Sequence, residues 1–248
     1  MNDPFQIQRE LRYGAPVCDQ IMTGRYFSIG YSWYFRQAKW ALEIVRRDRD
    51  LVNDGEAIQR LDNFRADTRV PARFRASLNA YKGSGYDRGH LAASANHDLI
   101  LIQNSETFLL SNMSPQHEDL NRRKWRELEE ATRELDARPD IYEVYVLTCP
   151  IFYFERAIEV IGKDHEEYGI SIPVPHAFVK SVLAEDDKGR LSLWTFLMSN
   201  EAQTGQLSDY LVKTYDAEQL VGGRFWDRIA GGDLHEDKGN IRPMWTAA

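Results

Sequence analysis

The chain has 248 residues, 43% apolar and 12% aromatic, enough to build one sizeable folded domain over residues 1–248. A net charge of −7 argues against a uniformly basic nucleic-acid coat, and no stretch approaches the ~20 apolar residues that span a membrane. The only cysteines, Cys18 and Cys149, exclude a disulfide framework and a structural zinc site, so free thiols in a reducing compartment are expected.

The opening Met1-Asn2-Asp3-Pro4-Phe5-Gln6 has neither a basic n-region nor an apolar h-region, and its early acidic residue does not suit a mitochondrial presequence. A cytoplasmic location is the expectation. Residues 26–35 are rich in aromatics (Tyr26, Phe27, Tyr31, Trp33, Tyr34, Phe35) and predict a buried strand near the sheet centre rather than a base-stacking surface. Residues 40–45 predict a second strand or a short helix. Residues 74–86 predict irregular backbone, where Gly83 and Gly85 permit a close approach of the main chain to substrate. Residues 107–113 predict a short apolar strand.

Residues 118–136 predict the clearest helix. Leu120, Leu128, Ala131 and Leu135 fall at helical spacings, with Glu/Arg pairs on the other face. Asn121, Trp125 and Glu129 fall four apart on one stripe. Glu129 can serve a metal-bound water there, or be a surface carboxylate paired with Arg133. Residues 141–148, 171–180 and 191–198 predict strands. There is no internal repeat and no low-complexity linker. The class is α+β: a central mixed or antiparallel β-sheet flanked by helices, with a hairpin–helix site at one edge.

Residues 81–90 read Tyr-Lys-Gly-Ser-Gly-Tyr-Asp-Arg-Gly-His, and Asn121 follows 31 residues after His90. This pattern suits a one-metal phosphodiester hydrolase. An imidazole titrates near pH ~6.5, so His90 can deprotonate water at neutral pH. Asn121 offers a neutral oxygen to a magnesium ion that keeps most of its waters. Arg88 can hold phosphate through its planar fork. Between Arg65 and His90 there are six Lys/Arg against two Asp, while acidic residues concentrate at Asp164/Glu166/Glu167 and Glu185-Asp186-Asp187. A basic groove on an acidic body is the expectation.

The continuation past His90 (Leu91-Ala92-Ala93-Ser94-Ala95-Asn96-His97, then Leu110-Ser111-Asn112-Met113-Ser114-Pro115-Gln116, Leu120-Asn121, Trp125 and Leu128-Glu129) resembles the DNA/RNA non-specific endonucleases, the ββα-metal family. The resemblance is strongest from Phe64 to Leu135, where Phe64-Arg65-Ala66-Asp67 and Arg75-Ala76 match the endonuclease G branch. It is fainter at Tyr13-Gly14-Ala15-Pro16, at the strand ending Thr148-Cys149-Pro150, at Ile172–Lys180 and at Gly222-Gly223-Arg224-Phe225-Trp226. Cys149 stands where the family usually has Gly, which leaves the shape of that turn open. Ala80 stands where Asp is frequent.

The resemblance implies a ββα-metal site and an Mg²⁺-dependent endonuclease (Mn²⁺ possible) that cuts DNA and RNA without reading bases and leaves 5′ phosphates. It implies His90 as general base, Asn121 as metal ligand, and Arg88 and Arg75 as phosphate contacts. Asn112 is expected to hold the site's hydrogen-bond network or support metal waters. Glu129 would anchor a metal-bound water. Asp87, near the substrate, would structure the turn or orient a neighbour. A homodimer is implied by analogy. An uninhibited intracellular nuclease endangers its host, so an inhibitor, a regulatory partner or a trigger is expected, as in a defence or toxin-like enzyme. No organic cofactor is expected. The alternatives are a catalytically silent nucleic-acid-binding module of the same fold and a phosphodiesterase of small diesters.

Overall fold

The computed structural model describes residues 8–45, 58–162, 171–229 and 232–245. The opening hexapeptide and the Asp164/Glu166/Glu167 cluster lie outside the described residues. The first strands are β1 (Gln20–Thr23), β2 (Phe27–Ser32), β3 (Gln37–Ile44), β4 (Asp87–His90) and β5 (Met113–Gln116). They are followed by β6 (Ile141–Ile151), β7 (Val160–Ile161), β8 (Ile172–Pro173), β9 (Ala177–Asp186) and β10 (Leu191–Ser199). The helices are α1 (Leu78–Tyr81), α2 (Leu101–Thr107), α3 (Arg126–Asp136), α4 (Thr214–Val221) and α5 (Gly232–Gly239).

The main sheet runs β1-β2-β3-β6-β9-β10, and every neighbouring pair is antiparallel. The class is α+β as expected, with the sheet antiparallel rather than mixed. Strands β6 and β9 are buried almost end to end, because helices cover both faces. Trp125, Leu128 and Leu135 of the site helix pack with Ala41, Val146, Phe178 and Val182 on one face. On the other face, Ala217 of α4, Leu234 of α5, Phe225 and Trp226 pack with Trp40, Leu42, Leu147 and Val179.

Several local expectations need correction. Of the two alternatives for residues 40–45 the strand holds: residues 40–44 lie in β3, and Val45 follows it in a turn. Strand β2 is fully buried but sits one strand from the edge, and residues 33–36 form the turn after it. The predicted strand 107–113 does not exist: Thr107 ends α2, Leu109 makes a single bridge to Arg65, residues 110–112 make a 3-10 turn, and a strand starts only at Met113. The Asn112 amide captures the Thr107 carbonyl and holds that run in a tight wrap. Residues 171–180 split, because Pro173 and Pro175 lack the N–H a continuous ladder needs, and β9 starts at Ala177. Residues 74–86 contain the short helix α1. Gly83 and Gly85 adopt φ of 69° and 82°, with open space where a Cβ would stand, so backbone conformation alone explains them. Cys149 lies in extended strand opposite Val179, so the usual glycine is not needed there.

Candidate nuclease active site

Strands β4 and β5 form a two-stranded hairpin pair, His90 opposite Met113 and Asp87 opposite Gln116. A side chain at position 89 would strike Gln116, so Gly89 lets the two strands close. Arg88 and His90 stand two apart and project to the same side. The chain then enters a π-helical turn, Leu120–Trp125, which runs into α3. Positions five apart share a face in a π turn, and the pairs behave so: Leu120 and Trp125 are buried, while Asn121 and Arg126 line the cleft. The predicted stripe is corrected accordingly. Asn121 and Glu129 reach the cleft, whereas Trp125 turns into the core.

The cleft between hairpin and helix has a volume of about 750 Å³. His90 forms part of its wall and is 9% exposed. Its ring stacks edgewise on Phe108 at 4.9 Å and leans on Phe64 at 5.7 Å. Burial, then the charges of Arg60 and Arg88, push its pKa down to about 3, so the imidazole is neutral at physiological pH. Its Nε2 has no hydrogen-bond partner among the described residues. Such an orphaned buried atom is costly unless an incoming group meets it. Arg88 lies over the Phe64 ring at 4.1 Å.

Asn121 donates through Nδ2 to Asp87 at 2.9 Å. A carboxylate only accepts, so Asp87 selects the amide orientation and leaves Oδ1 as the free acceptor. Arg122 makes a bidentate contact to the same carboxylate at 2.8 and 2.9 Å. Partial burial raises the Asp87 pKa, but the bonds from Arg122 and Asn121 outweigh it and hold the group below its ordinary range. Asp87 lines the cleft with both oxygens engaged by Asn121 and Arg122.

Asn112 is fully buried and does not line the cleft. It accepts from the Ala92 N–H and donates to the Ala92 and Thr107 carbonyls, which clamps the loop after His90. These bonds fit the network alternative of the expectation. Arg75, expected at phosphate, stands outside the cleft lining. It donates to the Val70 and Thr68 carbonyls and takes no part in the cleft wall. Among the six basic residues of 65–90, only Arg88 lines the cleft. The positive wall comes instead from Arg60, Arg88, Arg122, Arg126 and Arg133. Arg122, Arg126 and Arg133 recur at helical spacing, a signal the helix pattern carried; Arg60 sits in irregular chain with no such signal.

Glu129 lines the cleft, and its charge partner is Lys180 at 3.9 Å. Arg133, the partner considered from the sequence, donates instead to Asn96 Oδ1 at 3.1 Å. No helix among the described residues is long and apolar enough to cross a membrane. Cys18 and Cys149 are free thiols.

The family model described as DNA/RNA non-specific endonuclease matches residues 9–231. Mitochondrial endonuclease G of Homo sapiens is 36% identical over 224 residues, 88% of this chain and 73% of that protein. Nuclease C1 of Cunninghamella echinulata var. echinulata is 30% identical over 227 residues, 88% of each chain. A crystal structure of the EndoG/EndoGI complex superposes with a TM-score of 0.81 at 29% identity, over 93% of this chain and 95% of the other. These relatives favour a nucleic-acid-cleaving phosphodiester hydrolase over the small-diester and silent-module alternatives. With a hairpin–helix cleft that presents a histidine, an asparagine and a wall of arginines, and a family match over most of its length, the chain belongs to the DNA/RNA non-specific endonucleases.

Proposed function

We propose that this cleft cuts DNA and RNA by a single-cation mechanism, with His90 as general base and Asn121 as the cation's protein ligand. The observation that carries this reading is the meeting, in one cleft, of a neutral His90 with an unpartnered Nε2 and an Asn121 oxygen oriented by Asp87. The His90 imidazole takes the proton from water as its oxygen attacks phosphorus in line with the leaving 3′ oxygen. A base held near pKa 3 is weak toward water. Phosphate oxygens entering against Arg60 and Arg88 offset two of the causes of that depression and strengthen the base.

Asn121 fits Mg²⁺, with Mn²⁺ as a substitute: one hard neutral oxygen leaves most of the coordination to water. When bound, the cation supplies charge neutralisation at the phosphate and the leaving oxygen. Glu129 orders water beside it, and Arg60, Arg88 and Arg133 hold phosphate oxygens. Guanidinium groups address the backbone that DNA and RNA share, so both polymers are substrates. The free thiols suit a reducing, cytoplasmic setting. EndoG in the related crystal structure is bound to its inhibitor EndoGI, and a proteinaceous inhibitor is proposed for this chain as well.

The test is cleavage of supercoiled plasmid, single-stranded DNA, RNA and a small chromogenic diester, each with Mg²⁺ and with EDTA. Cleavage of all three polymers only with the cation is expected. Activity that survives EDTA, or preference for the small diester, overturns the mechanism.

A further inference from the structure

The sheet face beneath the site helix carries an unusual set of buried polar side chains. Glu43 on β3, Thr148 on β6 and Lys180 on β9 alternate with Ala41, Val146, Phe178 and Val182, the apolar residues that meet the site helix. Thr148 and Lys180 are direct register partners across β6 and β9. Glu43 is satisfied locally: it accepts from the Ala93 N–H at 3.2 Å and pairs with His97 at 3.0 Å.

Lys180 is different. It is 1% exposed, and its ammonium donates to Thr148 Oγ1 at 3.1 Å and lies over the Trp125 ring at 4.6 Å. The third partner is Glu129 Oε1 at 3.9 Å. Of these partners only Glu129 lines the cleft. An ammonium held by a hydroxyl from the sheet and an indole from the site helix is a fixed point charge, and it faces the inner side of the site carboxylate. Burial lowers the Lys180 pKa and raises that of Glu129, so each group's charge leans on the other.

We propose that Lys180 is a positioning residue for catalysis: anchored by Thr148 and Trp125, its ammonium fixes the Glu129 carboxylate so that its outer oxygen holds water beside the cation at Asn121. The proposal rests on the role given above to Glu129. Lys180 touches neither substrate nor cation. Its effect reaches the reaction only through Glu129.

The experiment compares Lys180→Met, Glu129→Gln and the double variant in the full chain. Turnover and KM are measured on plasmid and RNA, and Mg²⁺ and Mn²⁺ binding to the nucleic-acid-free protein is measured by calorimetry. Each single change is expected to lower kcat and weaken cation binding by roughly 10–100-fold, the usual scale for outer partners of a metal site, with KM little changed. The double variant is expected to lose no more than Glu129→Gln alone, because both act on one carboxylate. Losses that multiply in the double variant, or wild-type turnover and cation affinity in Lys180→Met, overturn the proposal. An undiminished Glu129→Gln enzyme sinks the reading of Glu129 itself, which is a separate outcome. Should Lys180→Met fail to fold, Thr148→Val keeps the lysine but removes its hydrogen-bond acceptor. A smaller loss of the same kind, absent in the Glu129→Gln background, is then expected, and no loss overturns the idea.

Discussion

On the face of the main sheet covered by α4 and α5, strands β3, β6 and β9 present Trp40, Leu42, Ile44, Leu147, Cys149 and Val179, all buried. On the face covered by α3, the same strands present Glu43, Thr148 and Lys180 among their apolar residues. Side chains alternate along a strand, so one backbone presents the central apolar residues of β3, β6 and β9 to one side and the Glu43, Thr148 and Lys180 set to the site helix on the other. The first face secures the fold. The second accepts buried charge, which is worth tolerating only where the partners meet it. The comparison teaches that stability and chemistry are separable in this sheet, residue by alternate residue.

The sharpest test of that separation is His90→Ala. Loss of the base should lower turnover by roughly 10²–10⁴-fold, while the substrate's KM stays close to wild type. Near-wild-type cleavage would break the assignment. The same variant has a pH signature. The unfolded chain protonates this histidine near pH 6.5, but the folded chain does so only near 3, so the unfolded state binds more protons in that window. Wild type should therefore lose stability as pH falls from 6.5 toward 3, and His90→Ala should lose less over the same range in thermal melts.

The mirror experiment is Leu147→Ala on the opposite face. A fully buried leucine there should cost about 2–5 kcal/mol in denaturant unfolding, with the kcat of the folded protein unchanged. A large change in kcat at equal folded fraction would show that the faces are coupled. Asn121→Ala comes next. It should raise the Mg²⁺ required for half-maximal activity by at least roughly 10–100-fold, beyond what an outer partner supplies. Unchanged metal dependence would remove Asn121 from the cation site.

The smallest expected effect distinguishes two arginines. Arg133→Gln, at the cleft wall, should reduce the salt slope of binding by about 1 and weaken DNA and RNA alike. Arg75→Gln should leave the slope unchanged, because Arg75 is spent on the Val70 and Thr68 carbonyls. Equal slopes for the two variants would contradict this division of the basic residues.

What could be read from the chain alone was local. The run from Asp87 to His90 and the helix bearing Asn121 and Glu129 each fall within a few residues, so motif and periodicity sufficed. The aromatic and β-branched runs likewise disclosed β2, β3, β6, β9 and β10, because burial on both faces leaves near-continuous apolar segments, whereas the apolar run 107–113 is not a strand. The π turn at Leu120–Trp125 was not legible, since a stripe read four residues apart assumes the 3.6-residue period throughout. Nor was the fate of Arg75, which depends on carbonyls exposed by a turn. Lys180 is a charge in the apolar part of Ala177–Asp186, and its meaning needed Thr148, Trp125 and Glu129, contributed by another strand and by the site helix. Only the antiparallel register and the packing of helix on sheet bring those groups within reach, and no spacing along the chain encodes a distance across it.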